Sequence, residues 1–278
     1  MDTLKEELRA YRAKTFRLRP GKQLTSVEDA LAYVQERGFI TFWPIKGIDL
    51  PSLWTAVAGD RPVADAHDDP GHITWRWKDS MLDQRRWYYG KLLRGKATIV
   101  SLDVIPYFYA LSERVADLDD YRPLYHEGRM TYETYSVAEA LLHHGPQHTI
   151  QLRRLANLSA QSAKARFDKA LTDLQRGLWI LPIGVAEAGA WRYAFIYELF
   201  DRWLLEVVKR ARGITQADAR VFLASCYLES VGAAQPKDIA KLFRWPLKHV
   251  SDALKRLEGD DAAHPLEDGR WISTEVLH

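Results

Sequence analysis

The chain has 278 residues, 47% of them apolar and 27% charged, enough for two or three compact domains with buried cores. Its formal net charge is only +2, so the molecule as a whole carries no strong field toward a polyanion. No run approaches the ~18 apolar residues of a membrane span, the N-terminus lacks the short apolar core of a secretory signal, and the single cysteine, Cys226, sits among apolar residues, so a reducing, cytoplasmic location is expected.

The first segment is basic. From Arg9 to Lys22 it carries Arg9, Arg12, Lys14, Arg17, Arg19 and Lys22 with no acid, and it ends at the breaker Pro20-Gly21. Such an arm either tracks phosphates or forms a solvated helix leading into a domain.

Residues 25 to 112 hold five of the ten tryptophans: Trp43, Trp54, Trp75, Trp77 and Trp87. "SVEDALAYVQERGFITFW" reads as a helix followed by a strand, and "LLRGKATIVSLDVIPYFYAL" as a helix end, a strand and a second short helix. Between them, Asp65, His67, Asp68, Asp69 and His72 gather carboxylates and imidazoles around Pro70-Gly71. They are candidates for general acid or base chemistry on a sugar, although Asp-rich loops of this kind more commonly cap helices and form surface turns. Their spacing matches no zinc signature. "ITWRWKD" alternates, which predicts a half-buried strand with Trp75 and Trp77 on one face and Arg76 and Lys78 on the other. Trp87, Tyr88 and Tyr89 follow one another, so one of the three is expected to be free for a ligand. With Trp43 they are the candidates for stacking on an extruded or unpaired base.

Two copies of one pattern occupy the second half, at about 136–198 and 216–274: three helices, then two strands joined by a turn. In the first copy, Val137, Ala140 and Leu141 begin a helix that stops at His144-Gly145-Pro146. Ile150, Leu152 and Leu155 mark a second helix. Ser159 is expected to cap a third, whose inner face is Phe167, Ala170, Leu171 and Leu174. "LWILPIGV" and "WRYAFIYE" are strand-forming, with "AEAGA" as the turn between them.

The second copy has a longer first helix, closed by Gly232. A short helix follows from Pro236, and a third opens after Pro246 with Val250, Ala253, Leu254 and Leu257 inside. Each copy reads as a winged helix, whose third helix commonly enters the DNA major groove. The outer residues Gln161, Lys164, Arg166 and Lys169 of the first copy, and Lys248, His249, Lys255 and Arg256 of the second, are therefore the candidate DNA contacts. Arg192 on the wing and Lys237 and Lys241 on the short helix join them. From Gln235 to Glu258, six Lys or Arg face three acids, which favours phosphate.

Further residues carry a family resemblance. Arg94, Gly95, Ile99, Val100, Asp103, Ile105, Pro106 and Tyr107 form an Arg-Gly, an apolar strand, an acid and an apolar-Pro-aromatic step. Ala219, Leu223, Tyr227, Leu228, Gly232, Ala233, Ala234, Asp238, Ile239, Ala240 and Trp245 form a helix, a Gly turn and a short helix. In both stretches the chain resembles the AlkZ-like winged-helix DNA glycosylases, which repair alkylated or crosslinked DNA. The resemblance spans roughly residues 25 to 260. It implies a third winged-helix-like domain at the N-terminus that holds the active site; the family's glycosylases continue after the second wing into a C-terminal β-rich domain, a point on which this chain departs from them. It also implies a Gln-x-Gln or Gln-x-Asp motif where this chain has Thr41 and Trp43, and, in many members, a histidine where it has Thr98. An indole offers a donor and no acceptor, so Trp43 cannot repeat the role of a carboxamide or carboxylate.

The expected fold is mainly α with small β wings (α+β), in tandem winged-helix domains. The arm occupies residues 1–24, and the domains 25–125, 126–205 and 206–278. There is no P-loop, dinucleotide fingerprint, nucleophile elbow or paired-cysteine site, so no cofactor and no metal is expected. The expected partner is double-stranded DNA, possibly damaged. The leading expectation is a DNA-binding relative of repair glycosylases, with catalysis open. An active glycosylase acting on alkylated or crosslinked bases, and a winged-helix regulator or interaction scaffold, are the alternatives.

Overall fold

A computed structural model describes residues 2–189 and 191–278. Helix α1 (Asp2–Thr15) leads into one element order that occurs three times: helix, strand, helix, helix, strand, strand. The first copy is α2 (Val27–Arg37), β1 (Phe39–Thr41), α3 (Leu53–Ala58), α4 (Ile73–Met81), β2 (Tyr88–Gly90) and β3 (Thr98–Val100). After the linking helices α5 (Ile105–Ala110) and α6 (Tyr121–His126), the second is α7 (Tyr132–His144), β4 (Gln147–His148), α8 (Thr149–Leu155), α9 (Lys164–Arg176), β5 (Ile180–Ala186) and β6 (Ala194–Leu199). Helices α10 (Phe200–Trp203) and α11 (Leu205–Ala211) lead to the third: α12 (Gln216–Val231), β7 (Ala233–Ala234), α13 (Pro236–Phe243), α14 (Leu247–Gly259), β8 (Ala263–Pro265) and β9 (Trp271–Ser273). In each copy the three strands form an antiparallel sheet whose last strand lies in the middle. The architecture is therefore α+β, mainly helical with small sheets.

Local chemistry repeats with the topology. The first helix of every copy starts at a hydroxyl cap: the side chains of Ser26, Thr131 and Thr215 accept from the backbone N–H of Asp29, Thr134 and Asp218. Such a cap stabilises a helix by about 1 kcal/mol. The first and third copies end that helix in the same way, with Gly38 at φ 77° and Gly232 at φ 79°. A left-handed backbone turns the chain straight into the first strand, and only glycine adopts it without cost. The third helix of the second copy is different from the expected one. A short 3-10 turn, Gln161–Ala163, precedes α9, and no side chain caps either, so Ser159 is not the cap. Ala190, in the turn between β5 and β6, lies outside the described residues.

Burial places the first copy against both others. Ile40, Leu53, Phe42, Trp77 and Tyr89 fill its own core, together with partly buried Val185 and Phe195 of the second copy. The other face of its sheet, with Phe39, Tyr88 and Val100, shares one core with Leu223, Tyr227 and Leu254 of the third copy. The second copy has a core of its own around Phe167, Leu174 and Ile180. The sheet β1-β3-β2 is thus buried on both faces, and that corrects one expectation. Trp87, Tyr88 and Tyr89 are all buried, with Tyr88 in one core and Trp87 and Tyr89 in the other, so none of the three is open to a base.

A second correction concerns "ITWRWKD". This segment is helix α4, not a strand. Its buried positions Thr74, Trp77, Lys78 and Met81 recur at helical spacing. Trp77 is a buried member of this core, while Trp75, only partly buried, packs against its edge beside Phe42 and Trp43. Nor is the basic arm a free tail. Tyr11 donates to Glu229 O, Arg12 to Val231 O and Ala233 O, and Thr15 to Ser230 O, which fixes α1 along the end of α12.

Candidate functional site

The Asp65 to His72 loop is held by its own neighbours. Arg61 donates two hydrogen bonds to Asp69, at 3.0 and 2.6 Å, and the N–H of Gly71 donates a third at 2.8 Å. The guanidinium first, and the Gly71 N–H second, hold the Asp69 carboxyl below the usual carboxylate range. His72 pairs through Nε2 with Ala64 O at 2.9 Å, and its ring packs against Trp54. Asp65, His67 and Asp68 are exposed and make no side-chain hydrogen bond among the described residues. No group of three or more His, Cys, Asp or Glu among those residues could hold a metal ion.

A different set of residues converges at the contact between the first and second copies. Lys78 on α4 is fully buried. Its Nζ donates to the Tyr193 hydroxyl at 2.7 Å and lies 2.6 Å from Asp79 Oδ1. Tyr193 in turn donates to the same Asp79 oxygen at 2.9 Å. The rings of Phe195 and Trp75 lie 4.5 and 4.6 Å from the ammonium, and those of Tyr89, Tyr193 and Phe42 within 5.9 Å. Loss of water pushes the Lys78 pKa below its ordinary value, against the pull of Asp79. Burial likewise raises the Tyr193 hydroxyl, with the Asp79 charge adding to it.

Above this cage the surface is aromatic. Trp43 is 37% exposed, its ring 5.5 Å from that of Trp75, which lies 6.3 Å from that of Tyr193. Trp191, at the turn of the β5-β6 hairpin, is 91% exposed. Asp79 shares this neighbourhood, four residues after Trp75 on the same side of α4. Both donors sit on Oδ1, and no group among the described residues reaches Oδ2. A carboxylate anchored in this way can accept a proton from water or from a sugar hydroxyl at its free oxygen. Thr41 is buried and bonded to Pro51 O, so of the Thr41–Trp43 pair only Trp43 reaches the surface.

Lys78, Asp79 and Tyr193 were not legible as a site. A lysine amid alternating tryptophans reads as a solvated face, and Tyr193 lies more than a hundred residues away. The signal present in the sequence was helical spacing, which puts Lys78 between Thr74 and Met81 on the inner side.

The basic candidates are distributed along the outer faces. Lys164, Lys237, Lys248 and Lys255 are exposed and free of ion pairs among the described residues, and Gln161 is also exposed. Arg166 pairs with Glu133 at 3.1 Å, Lys169 with Asp173, Arg192 with Glu187, and Arg256 with Asp218 at 2.7 Å. Lys241 Nζ donates to Gly47 O at 2.6 Å, and His249 is half-buried. Among these candidates the unpaired charges are Lys164 on α9, Lys237 on α13 and Lys248 and Lys255 on α14.

The chain thus joins a threefold-repeated α+β unit to an aromatic surface between two copies and to lysines along the outer helices. The model of the AlkZ-related family matches residues 24–244, more than half of the chain, and the protein belongs to that family. Among solved structures it is similar to the DNA glycosylase AlkZ of Streptomyces sahachiroi, with a TM-score of 0.60 at 13% identity over 97% of this chain and 69% of that one. At that identity the likeness is one of fold. No curated protein matches the sequence. No helix among the described residues is long and apolar enough to cross a membrane.

Proposed function

We propose that this protein binds double-stranded DNA through three winged-helix domains, at about 25–125, 126–205 and 206–278, as a relative of the repair glycosylases. The observation that carries the reading is the threefold repeat with the last strand in the middle of each sheet, because that is the strand arrangement of winged helices. In such domains the third helix enters the major groove and the hairpin touches the backbone. The third helices α9 and α14 carry Gln161, Lys164, Arg166 and Lys169, and Lys248, His249, Lys255 and Arg256. Lys164, Lys248 and Lys255 among them are exposed and unpaired. Lys237, Lys241 and Arg192 extend the basic surface, and Trp43 and Trp191 supply exposed rings for a base. The thiol of Cys226, packed against Gly38, is pushed up to about 12 by burial, which agrees with a structural role. The test is fluorescence anisotropy with a labelled duplex. Wild type binds, and Lys164→Glu and Lys248→Glu each weaken binding; unchanged affinity in both variants would refute groove docking by these helices.

A second reading, an active glycosylase, is favoured by the free Oδ2 of Asp79 beside exposed aromatic rings. Here Asp79 would accept a proton from the water that replaces an alkylated base at C1′ of the sugar. N-alkylation makes such a base cationic, so it departs neutral and needs no acid. Alkali-labile sites formed in N-alkylated duplex, and their loss in Asp79→Asn, are expected. No sites with wild type, or undiminished sites with Asp79→Asn, would remove this reading.

A further inference from the structure

We infer that Arg94, Arg176 and Arg244 form a single phosphate-binding groove where the three copies meet. The turn at Leu93–Gly95 lies against both α9 and α13, so residues from all three copies border one hollow of about 270 Å³. Arg94 comes from the first copy, Arg176 from the last turn of α9, and Arg244 from the residue that ends α13. The remaining lining is chiefly apolar, including Leu93, Phe108 and Trp245, and contains no carboxylate. Trp245 is fixed by stacking on Phe243 at 4.3 Å. Arg94 and Arg244 make no ion pair or side-chain hydrogen bond among the described residues, and Arg176 has only a 3.5 Å approach to Asp173. Like charges that share a concave, partly apolar hollow repel each other, and an anion relieves this with charge-assisted hydrogen bonds.

Backbone geometry is the second, independent observation. Arg94 has φ 56° and Arg244 φ 60°, in the left-handed region where glycine is the relaxed residue. Arg244 stands at a helix end, the position glycine most often takes. At two separate points, then, a long cation occupies a site whose backbone favours the residue with no side chain, and both border the same groove. Strain held in this way points to a use for the side chain. Planar guanidinium groups suit the oxygens of a phosphodiester or a phosphate monoester. DNA backbone and free phosphate share that chemistry. For its DNA arm the inference rests on the duplex-binding reading above.

The experiment compares the full chain with Arg244→Gly and Arg94→Gly, both chosen because glycine relaxes the backbone and preserves the fold. A labelled duplex is titrated over a potassium chloride series, and inorganic pyrophosphate is titrated separately by its shift of the unfolding temperature. Each variant is expected to melt no lower than wild type, to bind duplex more weakly, and to lose about 1 from the slope of log affinity against log salt. Duplex affinity and slope equal to wild type in both variants would overturn the inference. If wild type ignores duplex but is stabilised by pyrophosphate, and Arg244→Gly abolishes that, the groove stands as a site for free phosphate and the DNA reading fails. If wild type responds to neither probe, the groove is no phosphate site.

Discussion

The buried ammonium of Lys78 donates a 2.7 Å hydrogen bond to the hydroxyl of Tyr193, a residue of the second copy, and so ties that copy's hairpin to the first copy's third helix. The contact supports both halves of the aromatic surface, because Tyr193 passes a hydrogen bond on to Asp79. Tyr193→Phe keeps the ring but leaves a buried amine with one partner fewer, at a cost of about 1–3 kcal/mol. Lys78→Met removes a charge whose desolvation outweighs its pairing, while Asp79, 27% exposed, keeps its bond from Tyr193, so this variant is expected to be as stable as wild type or more so. Urea unfolding of the two variants checks the pair, and a Lys78→Met protein weaker than Tyr193→Phe would contradict this account.

The same lysine sets a slope of stability against pH. Its folded pKa lies below the unfolded value, so between the two the unfolded chain holds more protons. Stability from this group therefore increases as pH rises toward the ordinary lysine value. The difference in unfolding temperature between Lys78→Met and wild type should accordingly shrink as pH rises from 7 toward ~9.5. A constant difference would show that Lys78 ionises equally in both states.

Two carboxylates in and beside the second copy act with opposite sign in acid. Burial pushes Glu139 up, but hydrogen bonds from Arg122 and Tyr121 outweigh it and bring the group down to about 2. Its contribution is complete above the unfolded carboxyl value and fades as pH falls toward 2. Burial raises Asp201 to about 6, despite Arg114 at 2.8 Å and Tyr109 at 2.9 Å. The folded state then holds the extra proton, so stability falls as pH rises from the unfolded value to 6. Unfolding temperature measured against pH should lose its acid decline in part in Glu139→Gln, and lose the fall toward pH 6 in Asp201→Asn.

Gly232 offers a test of the helix-to-strand turn. A methyl group there would meet Leu8 and Tyr11 at 3.0 Å, besides adopting φ 79°. Left-handed backbone alone costs about 1–2 kcal/mol. Gly232→Ala should lower stability by at least that amount, and it should loosen α1, whose side chains pack on this turn. Hydrogen exchange at α1 reads the second effect.

The two C-terminal copies were legible because each declares itself locally. Apolar residues recur at helical spacing in α9, α12 and α14, Gly145 and Gly232 end the first helices, and Pro236 opens α13. The first copy was obscured by tertiary effects. Its sheet is covered on both faces, so Trp87-Tyr88-Tyr89 shows no alternation of apolar and polar residues. Its third helix happens to alternate over Thr74 to Lys78, a window too short to separate the two periods. The Lys78 cage and the three-arginine groove depend on contacts between copies, and no spacing along the chain encodes them.

Duplex affinity as a function of salt tests the central claim most directly. Wild type is expected to bind a labelled duplex with log affinity falling steeply and linearly against log salt, since each phosphate neutralised contributes about 0.9 to the slope. Lys164→Glu and Lys248→Glu should each reduce both affinity and slope. Binding that is absent, or that does not change with salt, would contradict it.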